Sequence, residues 1–408
     1  MAVVVTKYGG SSVATPDHIK KVAQRLVARK NSGDQVITVV SAMGDTTDEL
    51  TDLADAITDS PHNRELDMLL STGEQVTIAL LAMAVQELGC PAISFTGAQV
   101  GILTDEVHSK ARIVSIDAAR VKEALENDHI VIIAGFQGTT AVVSEPPRPS
   151  VVIWPSAVAI AAGIDADVCE INSDVAGVYT ADPNVVKDAR KLDRISYEEM
   201  LELAASGAGV LCMRSVEFAR NHGVTIYCRS SFSDESGTIV TNEENDMEQA
   251  IVAAVTHDSS EAKITIRGVE DRPGIAATLF DALAEENVNV DMVIQNISEE
   301  GLTDISFTVP HADLERAQSA VNSVIEEIGA RTWVLDEDVA KISIIGGGMR
   351  THPGVTAKMF RALADADINI DLISTSPIRL SCIIALDDAE RAVCVLHKAF
   401  GLEVTSAT

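Results

Sequence analysis

Aromatic side chains are few. At 3% of 408 residues they leave a core of Val, Ile, Leu and Ala, within a 46% hydrophobic composition that suits a globular protein long enough for two or three domains. Cations are few as well: 31 Lys and Arg stand against 61 Asp and Glu, a formal net charge of −30. That excludes non-specific binding to nucleic acid or to anionic membranes, both of which need basic patches. An acidic chain that handles phosphates must gather its cations locally, so a lysine beside a glycine loop carries weight. No Cys-x-x-Cys pair occurs. Cys90, Cys169, Cys212, Cys228, Cys382 and Cys394 lie far apart in apolar surroundings and read as reduced, mostly buried thiols, with neither a disulfide frame nor a zinc site. The histidines show no ligand spacing, so no metal site is expected. No apolar run reads as a membrane span and no basic segment precedes the apolar start. The expectation is a soluble cytoplasmic protein with no membrane and no nucleic-acid partner.

What is present is a series of apolar strands that run into glycine turns. Met1–Val5 leads into Thr6-Lys7-Tyr8-Gly9-Gly10-Ser11-Ser12, and Pro16 opens a helical stretch to Lys30. Paired glycines let backbone N–H groups approach an anion, a following helix start favours it, and Lys7 supplies a point charge. Taken alone the motif reads first as a tight turn with a surface lysine, because it is neither a Walker loop nor a GxGxxG. Val36–Val40 runs into Ser41–Asp48 with Gly44, Ala92–Phe95 into Thr96-Gly97, and Ile130–Ala134 into Gly135-Phe136-Gln137-Gly138. Leu66–Leu88 reads as a helix interrupted early by Ser71–Gln75. Val168–Ile171 leads to a polar loop, Asn172–Pro183, suited to a base and ribose. A helix at Tyr197–Ala205 and a last strand at Val224–Arg229 follow. The alternation predicts a parallel α/β sheet covered on both faces, with the glycine loops along one rim.

After the polar, acidic stretch 233–250, read as a linker, the chain repeats itself. Pro273-Gly274, Phe280, Leu283-Ala284, Asn289 and Asp291 recur as Pro353-Gly354, Phe360, Leu363-Ala364, Asn369 and Asp371, an offset of 80 residues. A repeat kept in phase in this way predicts two small βαββαβ modules, at 251–335 and 336–408, suited to pairing and to a small ligand between them.

Lys7–Val13, Val40–Asp48, Ser71-Thr72-Gly73-Glu74, Ser94-Phe95-Thr96-Gly97, Ala134–Gly138, Tyr179-Thr180-Ala181-Asp182-Pro183, Arg229-Ser230-Ser231-Phe232 and the paired modules together resemble aspartokinase over essentially the whole chain. The resemblance implies an amino-acid-kinase domain over 1–232 and two ACT domains. It also implies transfer of the γ-phosphoryl group of ATP, as its Mg²⁺ complex, to the β-carboxylate of L-aspartate, with feedback by lysine or threonine. By the same resemblance Lys7 is catalytic and contacts the phosphates with Gly9, Gly10 and Ser11. Asp174, Tyr179 and Asp182 belong to the nucleotide loop, Thr47 and Glu74 to the substrate. Asp271, Pro273, Gly274, Ile275, Ala276, Asn289, Gln295 and Asn369 belong to the effector site. A homo-oligomer through the ACT modules is implied, with a second aspartokinase-type subunit as a further partner.

The chain departs from the family pattern at several positions. Where the family carries Gly-Arg-Gly-Gly-Ser-Asp-Thr-Thr, this chain reads Pro149-Ser150-Val151-Val152-Ile153-Trp154-Pro155-Ser156. Ser150 stands in place of a substrate-binding arginine and Trp154 in place of an aspartate, with Arg148 two residues from the lost arginine. Gly209 replaces a second phosphate-facing lysine, Ala176 an aspartate, and Pro377 a glutamate of the second module. The alternative expectation is therefore an inactive or repurposed paralogue that binds an amino acid and regulates a partner.

Overall fold

The computed structural model describes residues 1–58, 61–105, 113–135, 137–140, 149–151, 156–242, 250–297 and 301–403. They fall into two compact units. The first holds Met1–Val178, Lys191–Ala204 and Gly209–Asp246; the second holds Tyr179–Arg190, Ala205–Ala208 and Met247–Thr408.

In chain order the first set of elements is β1 (Val3–Tyr8), α1 (Pro16–Asn31), β2 (Gln35–Val40), α2 (Thr46–Asp55), α3 (Asn63–Glu87), β3 (Ala92–Phe95), β4 (Ile102–Thr104), β5 (Ile113–Ile116), α4 (Ala119–Glu126), β6 (Ile130–Ala134), β7 (Gln137–Thr140) and β8 (Pro149–Val151). There follow α5 (Ser156–Gly163), β9 (Val168–Ser173), β10 (Arg194–Ser196), α6 (Tyr197–Ala205), α7 (Met213–His222), β11 (Ile226–Ser230) and β12 (Thr238–Thr241). The main sheet has the order β10-β12-β11-β9-β1-β2-β6-β3. Its central strands are parallel and buried on both faces, as in Val4, Val5, Val36, Ile37, Ile130 and Ile132, so they read as unbroken apolar runs. Parallel pairing sets the ends of β1, β2, β3, β6 and β9 along one rim, with the glycine turns after them, as the alternation predicts.

Helix α1 shows why the local sequence folds as it does. Thr15 caps it by accepting from the His18 amide, Pro16 fills the first turn, and Arg29 and Lys30 face the carbonyl end. Its buried face is Ile19, Val22, Ala23 and Leu26, spaced by three and four.

Two expectations are corrected. Ser71–Gln75 does not interrupt α3: the Ser71 and Thr72 hydroxyls donate back to the Met68 and Leu69 carbonyls and stay within the helix. Gly73 allows close packing there, since a Cβ would stand 3.1 Å from the Ala42 Cβ. This helix is also long and apolar enough to span a membrane by composition, contrary to the sequence reading. Nearly half of that window is buried inside the protein, and Asp67 and Glu74 are buried in the same helix. Secondly, Ile226–Ser230 is not the last strand. Within the stretch read as linker, β12 pairs antiparallel with β11 and parallel with β10.

The second unit continues with β13 (Ala254–Asp258), β14 (Glu261–Glu270), α8 (Ile275–Glu285), β15 (Val293–Ile297), β16 (Leu302–Pro310), α9 (Leu314–Val324) and β17 (Thr332–Asp336). Then come β18 (Val339–Ile345), α10 (Val355–Asp365), β19 (Leu372–Thr375), β20 (Arg379–Ala385) and α11 (Ala389–Phe400). The first module is βαββαβ with sheet order β15-β16-β14-β17. The second has the order β13-β18-β20-β19, so its fourth strand comes from residues 254–258, ahead of the first module. The first module is thus inserted into the second. The physical need is the free edge of β18, whose backbone groups β13 satisfies.

Crossed ion pairs join the modules. Lys263 of β14 pairs with Asp336 and with Asp371, while Lys341 of β18 pairs with Glu261 and with Asp291 at 2.7 Å. Asp291 and Asp371 are repeat equivalents, so each module's lysine reaches the other module's aspartate. Lys341 is 1% exposed; burial alone lowers its pKa, but Glu261 and Asp291 outweigh that and raise it. Removing one member of such a buried pair typically costs about 3–5 kcal/mol.

Candidate active site

Lys7 sits at the end of β1, next to the turn its strand feeds. Gly9 is extended and opens a 3₁₀ turn, Gly10–Val13, closed by the Ser12 amide donating to the Gly9 carbonyl at 3.0 Å. The Gly9 amide reaches the Asn172 carbonyl at the end of β9. Gly10 is required by close approach. A Cβ there would stand 2.9 Å from the Gly44 carbonyl oxygen and 3.2 Å from that of Ala42, and the Gly44 amide donates to the Gly10 carbonyl at 3.1 Å. The turns after β1 and β2 are thereby zipped backbone to backbone. Gly44 itself has φ +49°, the left-handed region that favours glycine.

Asp45 follows at the start of α2, where Thr46 donates to the Met43 carbonyl at 2.6 Å. Thr47 is half-buried in the first turn of that helix. From α3 comes Glu74, 3% exposed, whose charge acts on the Lys7 amine. Burial lowers the Lys7 pKa to about 8, with Glu74 opposing the shift. Lys7, Gly9, Gly10, Asp45, Thr47 and Glu74 are therefore gathered by the end of β1, the start of α2 and the middle of α3. Ser11 is exposed on the same turn, and Asp174 is exposed just after β9. Other rim contacts are tight: the Gln137 side-chain amide donates to the Ser71 carbonyl at 2.7 Å, and a Cβ on Gly97 would meet the Gln137 carbonyl at 2.0 Å.

Tyr179 and Asp182 belong to the second unit. Tyr179 packs against that unit's core with Val185, and Asp182 accepts from the Asn184 amide at 2.8 Å. Of the departures, Arg148, Val152 and Trp154 lie outside the described residues. Ser150 and Val151 do not form a glycine-like turn: they lie in β8, paired antiparallel to β7 with Val151 opposite Gln137. Val151 is β-branched and fits a pleated strand. Gly209 is exposed, and a Cβ there would meet nothing within 4 Å.

Two contacts were not assigned from the sequence. Ser231 bonds the Ser12 hydroxyl at 2.5 Å, and the Asn172 side chain donates to the Lys7 carbonyl at 3.3 Å. Both residues lie in stretches singled out above, but their partners are more than 160 residues away in the chain.

In the effector region, Asp271 and Pro273 are exposed before α8, Gly274 takes φ +99° at its start, Ile275 is buried and Ala276 half-buried. Asn289, Gln295 and Asn369 are exposed, Gln295 on the edge strand β15. In the second module the equivalent turn lines a cavity of about 380 Å³ with Arg350, His352, Gly354, Ser376, Pro377 and Arg379 among its walls. Only the repeat itself signals that cavity in the sequence.

Comparison with known proteins agrees with this geometry. The amino acid kinase family matches residues 2–230, and the ACT domain matches 264–324 and 342–400. The chain is 51% identical to an aspartokinase of Mycolicibacterium smegmatis, over 98% of this chain and 97% of that protein. It is 46% identical to an aspartate kinase of Pseudomonas putida, over 99% and 98%. Among solved structures, an aspartate kinase from Synechocystis is 42% identical with a TM-score of 0.54, covering 100% of this chain and 70% of its own. An E. coli aspartokinase III in complex with aspartate and ADP shares the fold at 23% identity, with a TM-score of 0.83 over 97% and 99%.

Proposed function

Because the chain belongs to the aspartokinase family, we propose that it transfers the γ-phosphoryl group of ATP to the β-carboxylate of L-aspartate, under control by an amino acid bound at the second unit. The observation that carries this reading is Lys7, half-buried and desolvated at the end of β1, beside the Gly9–Gly10 turn and acted on by Glu74. The acceptor carboxylate is already deprotonated, so the reaction needs positioning and cations, not a protein base. An oxygen–phosphorus bond to aspartate forms as the bond to the departing ADP breaks. Lys7 offsets charge on the moving group, and the turn of Gly9, Gly10 and Ser11 cradles the phosphates, with the amides of Gly10 and Ser11 toward them. Glu74 accepts from the substrate ammonium, with Thr47 beside it, and Asp174, Tyr179 and Asp182 serve the nucleotide. Among the described residues no three His, Cys, Asp or Glu side chains are grouped to hold an ion. Mg²⁺ is taken as part of the nucleotide substrate, carried by its phosphates.

The domain division 1–232, 251–335 and 336–408 belongs to the same reading. So do lysine or threonine as effectors at Asp271–Ala276, Asn289, Gln295 and Asn369, and assembly with a second copy or an aspartokinase-type subunit. The decisive experiment is trapping the product with hydroxylamine. Aspartate- and ATP-dependent hydroxamate formation that Lys7→Met abolishes supports the reading; its absence from the wild-type chain overturns it.

One observation favours a second reading, a regulatory paralogue without turnover. Residues 149–151 form a strand where the family places a glycine loop, and Ser150 cannot make the bidentate clamp of an arginine. Amino-acid binding to a chain that forms no hydroxamate is the outcome that selects it.

A further inference from the structure

Arg25 and Arg29 of α1 and Arg229 of β11, distant from them in sequence, line one cavity of about 300 Å³ in the first unit. The register fixes which side of the sheet it occupies. Thr6, Glu170 and Tyr227 form one rung across β1, β9 and β11, and Tyr8, Asn172 and Arg229 form the rung two residues on. Side chains alternate along a strand, so these six share the face under α1, while Lys7 and Ile171 point to the other. The cavity is therefore separate from the proposed kinase centre and lies behind it.

The guanidinium groups differ in how they are satisfied. Arg29 is neutralised by Asp34 at 2.6 Å and Glu170 at 2.9 Å. Arg25 uses three of its five N–H donors, on the Ser230 and Ser233 carbonyls and on Asp234, whose side chain is 94% exposed. The Arg229 side chain makes no hydrogen bond or ion pair among the described residues. Its Nε is buried without an acceptor, and its guanidinium lies 5.7 Å from the Tyr227 ring centroid. A buried Nε–H without an acceptor is costly, and Glu170, the carboxylate on the same face of the sheet, is already paired with Arg29. Beside it stands Tyr8, whose phenol burial pushes up to about 12, so that it remains a neutral donor. Leu26 and Ala28 add an apolar wall.

We propose that this cavity binds a phosphate group, free or carried on a small metabolite, with Arg229 and Arg25 as its cationic partners and Leu26 and Ala28 against any organic portion. An arginine fork matches phosphate geometry and supplies the specificity. Occupancy bears on the opposite face through the backbone. Tyr8 directly follows Lys7, and Asn172, which also lines the cavity, donates to the Lys7 carbonyl and accepts from the Gly9 amide. The site stands whether or not Lys7 serves a kinase.

The test is a thermal melt of the full chain in inorganic phosphate, and in glycerol 3-phosphate, against chloride at equal ionic strength. Wild type, Lys7→Ala and Arg229→Gln are compared, so that the glycine turn and the arginine cavity are scored separately. We expect a saturable rise in Tm for wild type and Lys7→Ala that Arg229→Gln removes or shifts to at least tenfold higher ligand, with partial recovery in Arg229→Lys. Tighter binding of glycerol 3-phosphate identifies an organic phosphate as the occupant; equal binding identifies phosphate itself. No rise in wild type, or a rise that Lys7→Ala removes and Arg229→Gln keeps, overturns the proposal. If Arg229→Gln does not fold, Arg25→Gln takes its place with the same outcomes.

Discussion

Lys7 is placed where burial makes its charge expensive, and that cost is what a phosphate-binding lysine offers its ligand. Its folded-state pKa is lowered from 10.5 to about 8 by burial, with Glu74 opposing. Between those values the unfolded chain holds a proton that the native chain has released, so stability rises with pH there. The cost of charging Lys7 is fully present below about 8. Lys7→Met should therefore stabilise the ligand-free protein by about 2 kcal/mol at pH 7 in urea denaturation, with the gain falling as pH rises above 8 and lost only above the unfolded value of 10.5. The same change should lower hydroxamate formation at least ~10²-fold, since a charge-stabilising group is lost. A bound polyphosphate restores the proton, so kcat/KM for ATP should fall above pH 8 while kcat changes less. Gly209 gives the complementary test. It is exposed with open space at its Cβ position and stands where the resemblance places a second phosphate-facing lysine. Gly209→Lys should raise turnover about tenfold, and an unchanged rate would mean the described turn does not face the phosphates.

At the scale of elements, the structure rests on turns that touch one another. Gly10→Ala puts a methyl group 2.9 Å from the Gly44 carbonyl, where only backbone can yield, so the turns after β1 and β2 must part. Overpacking of this kind costs about 1–3 kcal/mol. The expected result is a Tm lowered by several degrees and a kcat/KM for ATP reduced at least ~10-fold; an unaltered Tm would show that the turns are not zipped. Local elements were well announced by the sequence. β3 and β6 coincide with the apolar runs Ala92–Phe95 and Ile130–Ala134, and α6 with Tyr197–Ala205, because apolar content and length suffice to define a buried strand or a short helix. What stayed hidden was pairing. Nothing in Ala254–Asp258 says that it completes the second module beside β18 and not the first. The short β12 has too few residues to stand out from its acidic surroundings. The site was legible in the same uneven way. Lys7, the glycine turns and Glu74 could be assembled through the resemblance, whereas Arg229 reaches Arg25 and Arg29 only because β11 is placed beside β9, about 200 residues from α1.

At the scale of the whole molecule the question is how so acidic a chain meets a second copy. With a net charge of −30, most faces of two copies repel, and association must use surface where apolar contact and backbone pairing outweigh that repulsion. The second unit offers two such places. β15 and β19 each end a four-stranded sheet and leave one row of backbone groups without a strand partner in that sheet. On them Val293 and Ile373, equivalent through the repeat, are 49% and 41% exposed. An edge strand with an exposed apolar residue invites another strand unless something covers it, and proteins that keep such an edge free commonly place lysine there. Gln295, assigned to the effector site, lies on the same edge as Val293. Pairing and effector binding would then share one surface. The prediction is a dimer at micromolar concentration by light scattering or sedimentation, tightened by added salt because like charges are screened. Val293→Lys or Ile373→Lys should give a monomer with an unchanged far-UV spectrum, and should abolish the rise in Tm expected of wild type with the proposed effectors, lysine or threonine. A monomeric wild type, or a dimer indifferent to both substitutions, would place the interface elsewhere and separate the effector from assembly.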